Sequence, residues 1–121
     1  MKPEKIIKLI KNNLTPDLVK SQYRNDRQAL HSGQSYVASE ALFHILGAND
    51  SLYSLHYGVD ENSTVHWWLV NMTTKEILDT TCEQYTSEGK TPPYDNGVKA
   101  AFLTKKISKR GKIVIDKINC C

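Results

Sequence analysis

The hydrophobic rhythm of this chain changes once, at Asn49-Asp50-Ser51, and that change limits what it can fold into. Before it, apolar residues recur about every 3.6 positions, the spacing of a helix with one buried stripe. After it, Leu52, Tyr53, Leu55 and Tyr57, then Val65, Trp67 and Leu69, follow the period of two that suits strands. Helices first and strands second predict an α+β domain, N-terminal helices packed on a small antiparallel sheet. At 121 residues the chain has room for one core, so a single domain over residues 1–121 is expected.

Local signals refine this expectation. Pro3 suits a first helical turn, and Ile6, Ile7, Ile10 and Leu14 share one stripe, which predicts a helix over Pro3–Asn13. Thr15-Pro16-Asp17 repeats the start signal, with Leu18, Val19 and Tyr23 as the buried stripe of a second short helix. His31-Ser32-Gly33-Gln34 reads as a loop, and Ser35–Leu46 as a third helix ended by Gly47. Trp67–Val70 and Ile77-Leu78 flank Asn71–Lys75, which predicts an antiparallel pair joined by a short turn. Tyr85–Gly97, with Pro92-Pro93 and two glycines, reads as a long surface loop of the kind that carries binding residues. Ser108 caps a last helix, although the β-branched run Ile113-Val114-Ile115 leaves a strand as the alternative.

Composition excludes several classes of function. With 40% apolar and 24% charged residues, the chain is neither disordered nor fibrous. A net charge of +3 is mild, and the cluster Lys105, Lys106, Lys109, Arg110 and Lys112 has no interleaved aromatics, so it reads as a solvated surface and nucleic acid is not expected as a partner. Cys82, Cys120 and Cys121 do not form a disulfide framework, and the tail does not match the prenylation pattern. Lysines interrupt Ile6–Leu14, so neither a signal peptide nor a membrane span is expected, and a reducing cytoplasm is. His31, His44, His56 and His66 show no metal-ligand spacing, and no glycine-rich phosphate loop follows a strand. No metal and no cofactor is expected.

Three residues carry candidate chemistry. A helix opening at Ser35 gives its hydroxyl free backbone N–H groups and the positive end of the helix dipole. His66 starts one strand and Asp79 ends the next, so a base and its orienting carboxylate can meet near that helix. Taken singly, each has a plain structural reading: Ser35 as a helix cap, His66 as a satisfied core histidine, Asp79 as the residue closing a turn. Trp67 and Trp68 are consecutive and face opposite sides of a strand, so one of them, beside His66, is a candidate cleft wall, with core packing as the plainer role of both.

Together the blocks Gly33-Gln34-Ser35-Tyr36-Val37-Ala38-Ser39-Glu40-Ala41-Leu42, His66-Trp67, Leu78-Asp79 and Phe102-Leu103-Thr104 resemble a small family of bacterial and phage proteins with the papain-like or transglutaminase-like cysteine hydrolase fold. The similarity spans about Asp17 to Ile115. It implies a central helix bearing the nucleophile, Ser35, which attacks a carbonyl; His66, which moves the proton; and Asp79, which orients the imidazole. The Ser35 backbone N–H and the side-chain amide of Gln34 or Gln84 are the implied oxyanion donors, Gln34 the weaker because adjacent helical residues point about 100 degrees apart. Trp67, from its place beside His66, and Tyr85 are the candidate cleft and binding residues. The family carries Gly-His-Cys where this chain has Gly33-Gln34-Ser35, and Leu-Asp-Pro-Thr where it has Leu78-Asp79-Thr80-Thr81. A hydroxyl needs full proton removal where a thiol is partly ionised. An engineered exchange, a natural serine hydrolase and a loss of catalysis with retained binding all fit that serine. The resemblance therefore implies action on an amide, thioester or isopeptide bond of a protein or peptide, or alternatively a catalytically silent protein-binding module, such as an inhibitor of a host defence protein.

Overall fold

The computed structural model describes residues 2–14, 27–102 and 107–119. The helix predicted around Thr15–Tyr23, Lys105 and Lys106 of the basic cluster, and the Cys120-Cys121 pair lie outside the described residues. The fold is α+β. Helix α1, Pro3–Asn12, has its proline in the first turn and buries Ile6 and Ile10, as the stripe predicts.

Helix α2, Arg27–Ile45, differs from expectation at its start. The loop expected at His31–Gln34 is helical, so Gly33 lies inside the helix and Ser35 stands about two turns from Arg27. A glycine within a helix costs about 1 kcal/mol relative to alanine. That cost is smaller than the gain from burying Val37, Ala38, Ala41 and Leu42 on one continuous helix, since a single fully buried leucine is worth about 1.5–3 kcal/mol. Ser35 therefore has neither the free N–H groups nor the dipole end that a helix opening there supplies. The helix ends as predicted, with Gly47 at φ 118° turning the chain into a 3-10 turn at Ala48–Asp50.

The second half forms a four-stranded antiparallel sheet in the order β3-β2-β1-β4, from β1 (Tyr53–Val59), β2 (Val65–Asn71), β3 (Ile77–Leu78) and β4 (Val98–Lys99). Register pairs Leu55 with Leu69, Tyr57 with Trp67, Gly58 with His66, and Leu69 with Leu78. Alternation then sorts the side chains. Leu55, Trp67 and Leu69 face the helices, where they join Ala38, Ala41, Leu42, Ile6, Ile10 and Val114 in one core. His66 and Trp68 face the other side, under the segment 90–97 that follows the one-turn helix α3, Glu83–Thr86.

Two glycines let that segment lie flat on the sheet. A Cβ at Gly58 would stand 2.4 Å from the Pro93 carbonyl oxygen, and one at Gly97 2.7 Å from Trp68 Cζ2. The segment expected as an open loop is thus anchored by Tyr94–Asn96, a 3-10 turn whose Tyr94 ring meets Trp68 edge to face at 5.1 Å.

The last element, α4 (Lys109–Asn119), is a helix and not the alternative strand. Ser108 accepts a hydrogen bond from the Gly111 N–H at 3.1 Å, the geometry of an N-cap. The fully buried Glu40 carboxylate on α2 accepts from the Ser108 N–H at 3.2 Å and from its hydroxyl, so α2 itself caps α4. Val114 is fully buried against the core, which outweighs the low helix propensity of β-branched residues. Among the described residues no helix is long and apolar enough to cross a membrane.

Candidate functional site

His66 and Asp79 meet. The ring Nε2 and Asp79 Oδ2 are 2.6 Å apart, and both side chains are almost wholly buried. Tyr94 donates its hydroxyl to the same Oδ2 at 2.7 Å, and the Thr81 N–H donates to Oδ1 at 3.1 Å. A carboxylate only accepts, so the ring hydrogen at this contact belongs to Nε2. Tyr85 packs edge-on against the imidazole at 4.8 Å, and Trp68 lies alongside at 5.8 Å. Burial first, then the Asp79 charge and hydrogen bond, push the Tyr94 phenol far above its ordinary range, so it remains a donor.

Ser35 has other partners. Its hydroxyl is fully buried, donates to the Ser32 carbonyl at 3.0 Å and accepts from the Trp67 N–H at 3.2 Å. That places it against the backbone of β2, at the residue that follows His66. Among the described residues no hydrogen bond joins Ser35 to His66. A hydrogen bond joins two of the three residues singled out for catalysis, and the third, Ser35, is held by the Ser32 carbonyl and by the backbone N–H of the residue that follows His66.

The remaining candidates divide in the same way. Trp67 packs on the helix side between Tyr36 at 5.1 Å and Tyr57 at 5.2 Å, partly buried against the core. Tyr85 does line a cleft. Gln34 and Gln84 line one small groove together with Thr80 and Thr81. Cys82 is a free cysteine whose thiol is pushed up by burial first and then by the charges of Glu83 and Asp79, which makes it a poor nucleophile. Among the described residues no three metal-ligating side chains stand together.

A cavity of about 860 Å³ lies between the β1–β2 turn, α3 and the segment 90–96. Asp60, Glu61, Glu88 and Asp95 line it against a single cation, Lys90, so it is acidic in a chain whose net charge is +3. Asp60 organises its wall, accepting from the Asn62 N–H at 2.8 Å, the Thr64 N–H at 2.9 Å and the Tyr85 hydroxyl at 2.9 Å. Burial alone raises the Asp60 pKa, but the hydrogen bonds from Thr64, Tyr85 and Asn62 and the Lys90 charge together hold it below the usual carboxylate value. A depressed folded pKa contributes stability that is present above the unfolded value and lost as the pH falls through the folded one. Asp60→Asn is therefore expected to cost about 1–2 kcal/mol at neutral pH, a gap that closes below pH about 4 in thermal melts of the two proteins.

Tyr94 and Asp60 were not singled out by motif, and Thr80 and Thr81 entered only as part of the Leu78-Asp79-Thr80-Thr81 block. Tyr94 and Asp60 each had a local signal, an aromatic after Pro92-Pro93 and an acid after a strand, but nothing in the sequence pairs them with Asp79 and Tyr85. Comparison of the chain with protein-family models, curated proteins and solved structures finds no match.

Proposed function

We propose that this chain is a polypeptide-binding module whose acidic cleft takes a basic segment of a partner protein. The observation that carries the reading is the sign of the cleft: four carboxylates and one lysine around about 860 Å³, on a protein that is otherwise cationic. The buried network of His66, Asp79 and Tyr94 fixes the segment 90–97, which supplies part of the cleft's wall, against the sheet. Charge complementarity of this kind speeds association and weakens with salt. The test is co-purification with the wild-type chain and with Glu88→Lys/Asp95→Lys. An intact basic partner recovered at equal stoichiometry, lost in the reversed-charge variant and released by salt, supports the reading; equal recovery by both proteins overturns it.

A second reading has its own observation. His66 and Asp79 at 2.6 Å are a base and an orienting carboxylate already assembled, which supports an acyl-transfer enzyme acting through Ser35 on an amide, thioester or isopeptide bond. The binding reading predicts that a thiol introduced by Ser35→Cys, at a fully buried position, labels with an electrophilic probe no faster than the same variant carrying His66→Ala. Peptide mapping separates that thiol from Cys82. Labelling that depends on His66 favours the enzyme.

A further inference from the structure

The acidic cleft has a counterpart on its own chain. Helices α1 and α4 touch each other and carry seven cations, three in α1 and four in α4, against Glu4 and Asp116. On α4, Lys109, Lys112 and Ile113 stand at i, i+3 and i+4, so they share one outer face. Ile113 is 43% exposed there, and Val59 is 42% exposed in the cleft lining with Pro92 and Pro93. Asp116, one turn on, is the acid of the α4 face, as Lys90 is the cation of the cleft. The two surfaces are thus opposite in sign, and each holds an exposed apolar residue.

Charges on both surfaces are open to a partner. Among the described residues Asp95, Lys109 and Lys112 make no ion pair. The cleft already seats one ammonium, since Lys90 Nζ lies 3.1 Å from Glu61 Oε1 and 3.9 Å from Glu88 Oε2. A chain does not seat its own α4: Val114 holds that helix in the core on one side of the sheet, while the cleft's segment 90–96 lies over Trp68 on the other. Resting on the reading of the cleft as the seat of a basic segment, we propose that its occupant is the outer face of α4 from a second copy of this chain. Lys109 and Lys112 meet the carboxylates, and Ile113 meets Val59 and the prolines. A contact of one helix face with one cleft falls in the small, transient class of interfaces, steered by charge and weakened by salt.

The test is sedimentation velocity of the full chain across a concentration series, in salt from about 0.01 to 1 M, over which the screening length falls from about 30 to 3 Å. Self-association at low salt that dissolves to a 13.7 kDa monomer at high salt is expected. Asp95→Lys in the cleft and Lys109→Glu/Lys112→Glu on α4 should each weaken it by about tenfold or more. Mixed in equal amounts, the two variants should recover a dimer, because the intact α4 of one meets the intact cleft of the other; damage to folding would not be repaired by mixing. Should Asp95→Lys not fold, Asp95→Asn/Glu61→Gln is read in its place. A wild-type chain that stays monomeric at every salt overturns the proposal, and so does association that either variant leaves unchanged or that the mixture does not restore. The reading of the cleft fails separately, through equal capture of a basic partner by the wild-type chain and by Glu88→Lys/Asp95→Lys.

Discussion

Trp68→Ala should lose about 3–5 kcal/mol of stability, the range for truncating a large aromatic in a packed interior. The indole is 1% exposed and holds up the whole non-helical side of the sheet. Gly58 and Gly97 are fitted to it, with a Cβ on either lying 2.9 and 2.7 Å from its ring atoms, and Tyr94 packs on its edge. Removing it leaves a void that these glycines have no side chains to fill. The segment 90–97 then loses its seat, so partner capture should fall together with the denaturation midpoint. Chemical denaturation at constant slope measures the loss, and an effect below about 1.5 kcal/mol would show that the segment does not depend on the indole.

Asp79→Ala is expected to cost about 3 kcal/mol. Its carboxylate receives hydrogen bonds from His66, Tyr94 and the Thr81 N–H, all in a buried setting, and alanine leaves the three donors without an acceptor. Stranding a buried polar group costs about 1–3 kcal/mol, more than the bond itself is worth. Asp79→Asn separates charge from contact: it keeps an acceptor for one donor and should recover part of the loss. Tyr94→Phe, which removes one donor instead of the shared acceptor, should cost about 1 kcal/mol. If Asp79→Ala and Tyr94→Phe cost the same, the three bonds do not act as a network.

The halves of this fold were legible because each side of Asn49–Ser51 keeps one period. The stripe Ile6, Ile10 announced α1, and alternation through Trp67 and Leu69 announced β2. Gly33 misled because a local propensity of about 1 kcal/mol was read as decisive, whereas a continuous buried helix face outweighs it. The His66–Asp79 meeting was legible from antiparallel pairing of adjacent strands. The position of Ser35 was not, since it depends on which face of β2 meets α2, and the period of two gives the alternation without saying which set turns inward. Tyr94 escaped notice because its role arises only once the proline-rich segment folds back across Trp68.

The tie between Glu40 and Ser108 bears on the order in which the molecule is completed. Among the described residues, the Glu40 carboxyl group on α2 finds its donors in Ser108, made 68 positions later. During synthesis the central helix must keep that carboxyl group hydrated until α4 emerges. Completion of the core thus waits for α4, and a ribosome-held fragment ending before Ser108 should stay open and sensitive to protease along its central helix.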